Sequence, residues 1–465
     1  MTKRTYGIIA SVVVVAALAA TPLVISQKID ASLKKEADHL AKNGFKTEEL
    51  SKSGYFTTKR TFSLEVTDAR KARDFLLAQL VEKNAQYKLF AQSLQQGSEA
   101  EINEAVNGLQ FKGEMSHSNL LPQDVKVSLS LSALPTSVQE NLKTDTALLA
   151  LLTPLLTKGV LGADMLFGSD EKLKAFHLKD IQEELSMDGG KLILNTKDHT
   201  LKLDHRGEVV VGSLGVGHQL IAAQAEMMES KSELNSFLYN FTYHDEFNNH
   251  ADMRIGNYAL EINDEFTALK AGLGGLKATS SIEEKNQELL MKAEYTLDKI
   301  ALEESGESIK MDTFLTNFFL RGVDANAMRK LQTDYNTLLM SQTPPSDEVL
   351  LADIMALIQH GFTFDLGLIF KGIDYDTMHF KDMSIDTTLA LAKNSYSNQQ
   401  SPLALLGLLD ISSKVKIHKD DRTLLESLQL TAKKDFALGK AEGDYFIYDI
   451  NMKNGVLSVN NQAIQ

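Results

Sequence analysis

The sequence predicts an α+β protein: a mostly antiparallel, β-rich body with helical insertions, preceded by one N-terminal transmembrane helix. Three observations carry that expectation. A charge-free apolar run opens the chain, apolar and polar residues then alternate with period two in many segments, and helical periodicity is confined to short stretches between them. Composition agrees with a folded body, since 43% of the 465 residues are hydrophobic and 24% charged.

Lys3 and Arg4 precede Tyr6–Ile25, twenty residues without a charge inside the uncharged run Thr5–Gln27. At about 1.5 Å of rise per helical residue this spans roughly 30 Å, the thickness of a bilayer's hydrocarbon. Ala17-Leu18-Ala19 has the small-x-small pattern of a signal-peptidase site. The apolar stretch nevertheless continues through Leu23, Val24 and Ile25, beyond the roughly 7–15 residues of a signal core. The expectation is a retained single-pass inner-membrane anchor over residues 5–27, with a cleaved signal as the competing reading. The basic head places the N-terminus in the cytoplasm and the body in the periplasm. Lys28, Lys34, Lys35 and Lys42 flank the far side, but long domains are translocated despite such charge.

Charge is unevenly spread. Residues 1–60 hold ten Lys/Arg against five Asp/Glu, and the other 405 hold 38 against 57. A basic stem under an acidic body suits an anionic membrane surface and argues against a nucleic-acid partner. The absence of cysteine excludes disulfides, thiol chemistry and cysteine-ligated metals.

After the anchor, Ile29, Leu33, Ala37, Leu40 and Ala41 form one helical stripe that Asn43-Gly44 ends. Gly54-Tyr55-Phe56 leads into a strand over 57–66. Asp68 is placed to cap the next helix, whose stripe runs through Leu76, Leu77, Leu80, Val81, Tyr87, Ala91 and Leu94 to Gly97. Ser98 and Glu101 form a capping box for a short helix closing near Gly108. Val125, Val127, Leu129, Leu131 and Ala133 then alternate with polar residues, the signature of a sheet with one buried face. Similar patterns recur at Phe362–Phe370, Ile411–Ile417, Leu428–Ala432 and Phe446–Met452, and Gly190–Leu194 and Gly455–Val459 open hairpins. Helices are expected over Thr136–Thr153, Ala325–Met340 and Ser346–Gln359. Ala147–Leu156 is too short to span a bilayer and carries Pro154, so it reads as a core helix. Pro344-Pro345 marks a lobe boundary, dividing the body into residues 28–343 and 344–465. Phe176–Ile181 echoes Met378–Met383, a hint of duplication.

Candidate chemistry is sparse. His244, Asp245, Glu246, His250 and Asp252 form the densest ligand-type cluster, yet two His six residues apart converge neither on a helix nor along a strand, so a polar loop is expected there. Gly212–Gly217 lacks the order and the Lys-Ser/Thr of a phosphate-binding loop and is expected to be a bend or bulge. His418-Lys419-Asp420-Asp421-Arg422 is expected to be a solvated hairpin tip. No catalytic, cofactor-binding or metal-ligating residue is assigned, and no cofactor is expected. Phe362, Phe364, Leu366, Leu368 and Phe370 form a candidate apolar sheet face, packed on the protein's own core or on lipid, since both demand the same residues.

These features together resemble the YdgA-like family of bacterial proteins. The N-terminal membrane helix and Gly54-Tyr55-Phe56 match its opening. Asp444-Tyr445-Phe446 followed by Asn454-Gly455-Val456-Leu457-Ser458-Val459-Asn460-Asn461 matches its closing hairpin, with Gln462 where the pattern has glycine. The resemblance implies an inner-membrane, envelope-facing protein and brings no catalytic residues. The functional expectation is a non-catalytic envelope protein acting through a protein partner or self-association. The alternatives are a lipid- or amphiphile-binding protein and a hydrolase on an unfamiliar scaffold.

The anchor reading predicts an intact mass that retains Tyr6–Ile25. A mature N-terminus near Ala20 overturns it.

Overall fold

The computed structural model describes residues 29–54, 56–83, 106–118, 124–143, 146–170, 172–187, 189–226, 228–340, 347–375, 378–397, 403–422 and 439–463. Tyr6–Ile25, Pro344-Pro345, Leu428–Ala432, residues 84–97 of the helix expected to end at Gly97, and all but the last residues of the helix expected from Ser98 to near Gly108 lie outside them. Among the described residues no helix is long and apolar enough to cross a membrane. Antiparallel strands dominate, and the described residues fall into two compact units, within Met1–His205 plus Gly212–Glu226 and within Arg206–Val211 plus Met227–Gln465.

In the first unit, helix α1 (Ile29–Lys42) leads to strand β1 (Phe45–Ser53), β2 (Thr57–Val66) and α2 (Ala69–Lys83). The chain continues through β3 (Gln110–Ser118), β4 (Val125–Ala133), α3 (Thr136–Leu142), α4 (Thr146–Lys158), β5 (Gly162–Phe167) and β6 (Leu173–Leu178). It closes with β7 (Ile181–Met187), β8 (Gly190–Lys197), β9 (His199–Arg206) and β10 (Val209–Ala225). Ladders run β1-β2-β3-β4-β5-β6-β9 and β7-β8-β10. Asp68 caps α2 as expected, its Oδ1 accepting the Lys71 N–H at 3.0 Å. That bond, with the Lys71 ion pair, holds the Asp68 carboxyl below its ordinary range.

Strand β4 has the predicted bounds. Val125, Val127, Leu129 and Leu131 are buried with Phe45, Leu64, Phe111 and Met165. Helices supply the cover, with Phe75 and Leu76 from α2 and Leu152 and Leu155 from α4 in the same cluster. The apolar run around Pro154 is therefore a core helix, and it breaks from α3 instead of continuing it. Strand β1 has no counterpart in the sequence reading. Its Phe-Lys-Thr-Glu-Glu-Leu-Ser-Lys-Ser is polar at nearly every position because it is an exposed strand whose partner among the described residues is β2.

The second unit is built on long strands: β11 (Met228–Asp245), β12 (Asn248–Asp264), β13 (Ala268–Lys285), β14 (Glu288–Leu297), β15 (Lys299–Glu304) and β16 (Glu307–Asp324). Helices α5 (Ala325–Met340) and α6 (Asp347–His360) intervene, followed by β17 (Phe362–Tyr375), β18 (Met378–Leu391), β19 (Leu409–His418), β20 (Lys440–Glu442), β21 (Tyr445–Lys453), β22 (Val456–Val459) and β23 (Gln462–Ala463). Strands β14 and β15 share one lane between β13 and β16. From there the ladder runs β16-β17-β18-β19-β21, with β20 and β22 side by side on β21 and β23 on β22. Asp324 caps α5 through the Ala327 N–H at 2.6 Å. The fully buried cluster here is small: Phe247, Leu289, Val323 and Ala325, joined by Met328 of α5 and Leu357 of α6.

One irregularity crosses this unit. Ladder pairs are interrupted at Ser236, Gly256, Gly275, Asp298, Asp312, Gly372 and Lys381, one on each lane from β11 to β18, with no change of register. Ser236, Gly275 and Gly372 have φ of 60°, 64° and 57°. On every lane the apolar set changes parity at this line. In β11 it passes from Met228 and Leu234 to Phe237, Tyr239 and Phe241. In β17 it passes from Phe362, Phe364, Leu366, Leu368 and Phe370 to Ile373 and Tyr375. At Gly275 a Cβ would lie 2.1 Å from the Asp298 carboxylate, and at Gly372 2.3 Å from that of Asp312, so the line needs glycine at those positions. The echo at 176–181 and 378–383 does not extend to local structure, since the first segment ends β6 and turns into β7 while the second lies inside β18.

Burial separates the two faces of β4 in energy. Leu129→Asp leaves an ionised group in the core and should lower the unfolding free energy by about 3–5 kcal/mol. Ser130→Asp should cost about 1 kcal/mol or less. Denaturant unfolding of the two variants measures the difference, and equal losses would contradict the register.

Candidate functional site

The register of the second unit sorts its residues into two unlike faces. One continuous row of directly paired residues crosses nine lanes as Tyr239, Met253, Ala278, Tyr295, Thr316, Leu368, Ile385, Val415 and Tyr448. Directly opposed residues share a face. The row shifted by one residue reads Asn240, Asp252, Thr279, Glu294, Asn317, Gly367, Asp386, Lys414 and Asp449. At Gly367 the Asn317 amide lies over the backbone, 2.2 Å from where a Cβ would stand, so a larger residue would have to displace that side chain. Along these rows one face is apolar and aromatic and the other charged and polar, although Leu315, Phe319, Ile369 and Ile447 share the second face.

Phe362, Phe364, Leu366, Leu368 and Phe370 share the apolar face, as the alternation predicts. Phe314 stacks obliquely on Phe370 and Phe318 on Phe364, each pair with centroids 5.1 Å apart. Cover over this face is partial. None of the five is buried, whereas Val127 at the equivalent kind of position on β4 is 2% exposed. The difference lies in cover. The buried cluster of the second unit lies where α5 and α6 pack; elsewhere buried residues such as Ala278, Leu297, Leu391 and Ile417 are scattered along the sheet, and Tyr295, within the apolar row, is 43% exposed.

The sequence-level ligand candidates do not form sites. His244 and His250 stand near the tip of the β11–β12 hairpin, which is strand with a tight turn and a register shift at His244, not a polar loop. Asp245 organises that turn, accepting the Phe247 N–H at 2.8 Å and the Asn248 side-chain amide at 3.0 Å, with His244 Nδ1 at 2.7 Å. Desolvation pushes the Asp245 carboxyl up, but the bonds from Asn248, His244 and Phe247 outweigh it and hold the group low. His250 is exposed and opposite Thr242. Gly212–Gly217 is strand, with Gly217 against Asp198.

Asp421 requires a correction. It is not at a solvated tip but 1% exposed, and its two oxygens accept the backbone N–H groups of Lys381 (2.8 Å) and Asp382 (3.1 Å). Lys381 is where the interrupted line ends, so the carboxylate satisfies a donor that the ladder releases. Around it, the Tyr445 hydroxyl donates to Asp382 Oδ2 at 3.1 Å, which with burial pushes the phenol up. Lys381 bonds exposed Asp420 at 2.5 Å, raising the lysine and lowering the carboxyl. Sequence reasoning missed this because the partners lie 39 and 40 residues away.

The first unit carries a second concave feature. Directly paired Glu114, Ser128, Asp164, His177 and Thr200 form a polar row across β3, β4, β5, β6 and β9, on the face away from the core. A groove of about 400 Å³ is lined here by Glu114, Ser116, Lys126, Ser128, Asp164 and His177.

Asp421→Ala should destabilise the protein by about 1–3 kcal/mol through the stranded N–H groups, whereas Asp420→Ala should leave thermal unfolding unchanged. Equal behaviour of the two variants would remove Asp421's structural role.

No curated protein and no solved structure matches the chain. A family model matches residues 1–465, the whole chain. The chain therefore belongs to the family described as bacterial protein of unknown function (DUF945).

Proposed function

We propose that this is a membrane-anchored envelope protein without chemistry of its own, whose second unit holds the apolar part of an amphiphile against the β11–β21 face. The supporting observation is a nine-lane apolar row in which every residue but Ala278 stays partly exposed. Apolar surface in water carries about 25 cal/mol per Å² that an apolar ligand recovers on covering it. An acyl chain fits such a surface because it needs no polar partner, and the row offers none except the Thr316 hydroxyl and the tyrosine edges.

The interrupted line extends this face. A strand that stayed regular would carry its apolar set to the opposite side wherever parity changes. A residue outside the extended region restarts the alternation instead, as bulges do. On this reading the apolar sets on the two sides of the line share one face, and the track follows strands of up to 18 residues. The anchor, the basic stem and the resemblance to YdgA-like proteins support a location at the periplasmic side of the inner membrane, where amphiphiles are abundant. A protein partner or second copy is the other reading of the same face, favoured by its Tyr, Phe and Met content.

Mass spectrometry of lipids extracted from the detergent-purified full chain, with displacement of a fluorescent fatty-acid analogue, tests the proposal. Leu366→Lys and Leu368→Lys should each weaken probe binding about tenfold or more with little change in unfolding temperature. Absence of co-purifying lipid and of probe binding would sink the amphiphile reading. Cross-linking between copies through Phe364→Cys would then support self-association.

A further inference from the structure

We infer that His177, Asp180 and Asp198 form a binding site for a divalent transition-metal ion of the zinc type, at the wall of the first unit's polar groove. One donor atom from each residue lies within 4.8 Å of the others. The three come from two places that only the fold unites: the end of β6 with its turn into β7, and the single residue joining β8 to β9. Asp180 Oδ1 accepts the Asp198 N–H at 3.0 Å, which fixes the two turns against each other. Asp198 has φ of 56°, and the absence of a Cβ at Gly217 leaves room for its side chain. His177 is held by register between Asp164 and Thr200 and lines the groove.

Two further facts point to a cation. Asp180 and Asp198 are brought together although like charges repel, and no Lys or Arg bridges them among the described residues. Lys179 turns away, its Nζ 3.5 Å from the Gly159 carbonyl. The His177 Nε2 stands 3.8 Å from Asp180 Oδ1, too far for a hydrogen bond, so that nitrogen is not engaged by the carboxylate. Imidazole nitrogen with two carboxylate oxygens is a donor set for zinc and its neighbours more than for calcium or magnesium, which prefer oxygen alone. Donors around tetrahedral zinc sit roughly 3.3 Å apart, so small side-chain rotations close the triad and leave a fourth position for water or a ligand. His199, next in sequence to Asp198, is paired with Leu178 and is not one of the three donors; burial pushes its imidazole pKa down, against the pull of the Asp180 and Asp198 carboxylates.

Calorimetric titration of the untagged full-length chain with ZnCl₂, after removal of metal by chelator, tests the site. Wild type should bind one zinc ion per chain. His177→Ala, Asp180→Asn and Asp198→Asn should each weaken binding about tenfold or more, while a His244→Ala/His250→Ala double variant binds normally. CoCl₂ should give a visible absorption band that the same three variants lose. Unfolding temperatures measured without metal identify any variant that fails to fold, and the remaining ones are then read. No binding, or binding that the three substitutions leave unchanged, overturns the inference.

Discussion

Antiparallel register is the constraint on which the second unit depends. Side chains alternate with a period of two, so sliding any strand by one residue would exchange an entire apolar row for an entire charged one. Nine lanes hold the same register, and each fixes its neighbour. The Tyr239-to-Tyr448 row stays apolar only because every pairing between them is in step. Small side chains keep the step, with Gly367 making room for Asn317 and Gly275 for Asp298.

The two units meet the same need for cover in different ways. In the first, α2 and α4 lie in the cluster that buries β4, and the result is an ordinary core. In the second, α5 and α6 reach one end of the sheet, where Lys330 pairs with the buried carboxylate of Asp353 and Arg329 lies over the Phe247 ring at 4.8 Å. Much of its order comes from ladder hydrogen bonds and same-face neighbours such as Phe314 and Phe370, not from deep burial.

Much of the fold can be read from the residues, and the gaps have physical causes. Strand β4, the apolar set of β17, the Asp68 cap and the core helix around Pro154 all follow from local pattern. The long strands between Val209 and Asp324 are harder to read because their alternation restarts in mid-strand, so a single period fits neither half well. Strand β1 carries only Phe45 and Leu50 as apolar residues, five apart, so no alternation announces it. Whether Phe362–Phe370 faces a core or stays half-covered depends on where helices end, which alternation does not encode. Asp421 and the His177 triad depend on partners from distant turns, and only pairing brings them together.

Strand β1 has one more consequence. It presents Lys46, Glu48, Glu49 and Lys52 along a strand whose one strand partner among the described residues is β2. An unpaired strand margin is the usual template on which identical chains add to one another and grow into fibrils. Charges of both signs on this margin make a second chain pay desolvation without gaining an apolar contact. A protein this rich in strand thereby guards one open end of its ladder against indefinite polymerisation.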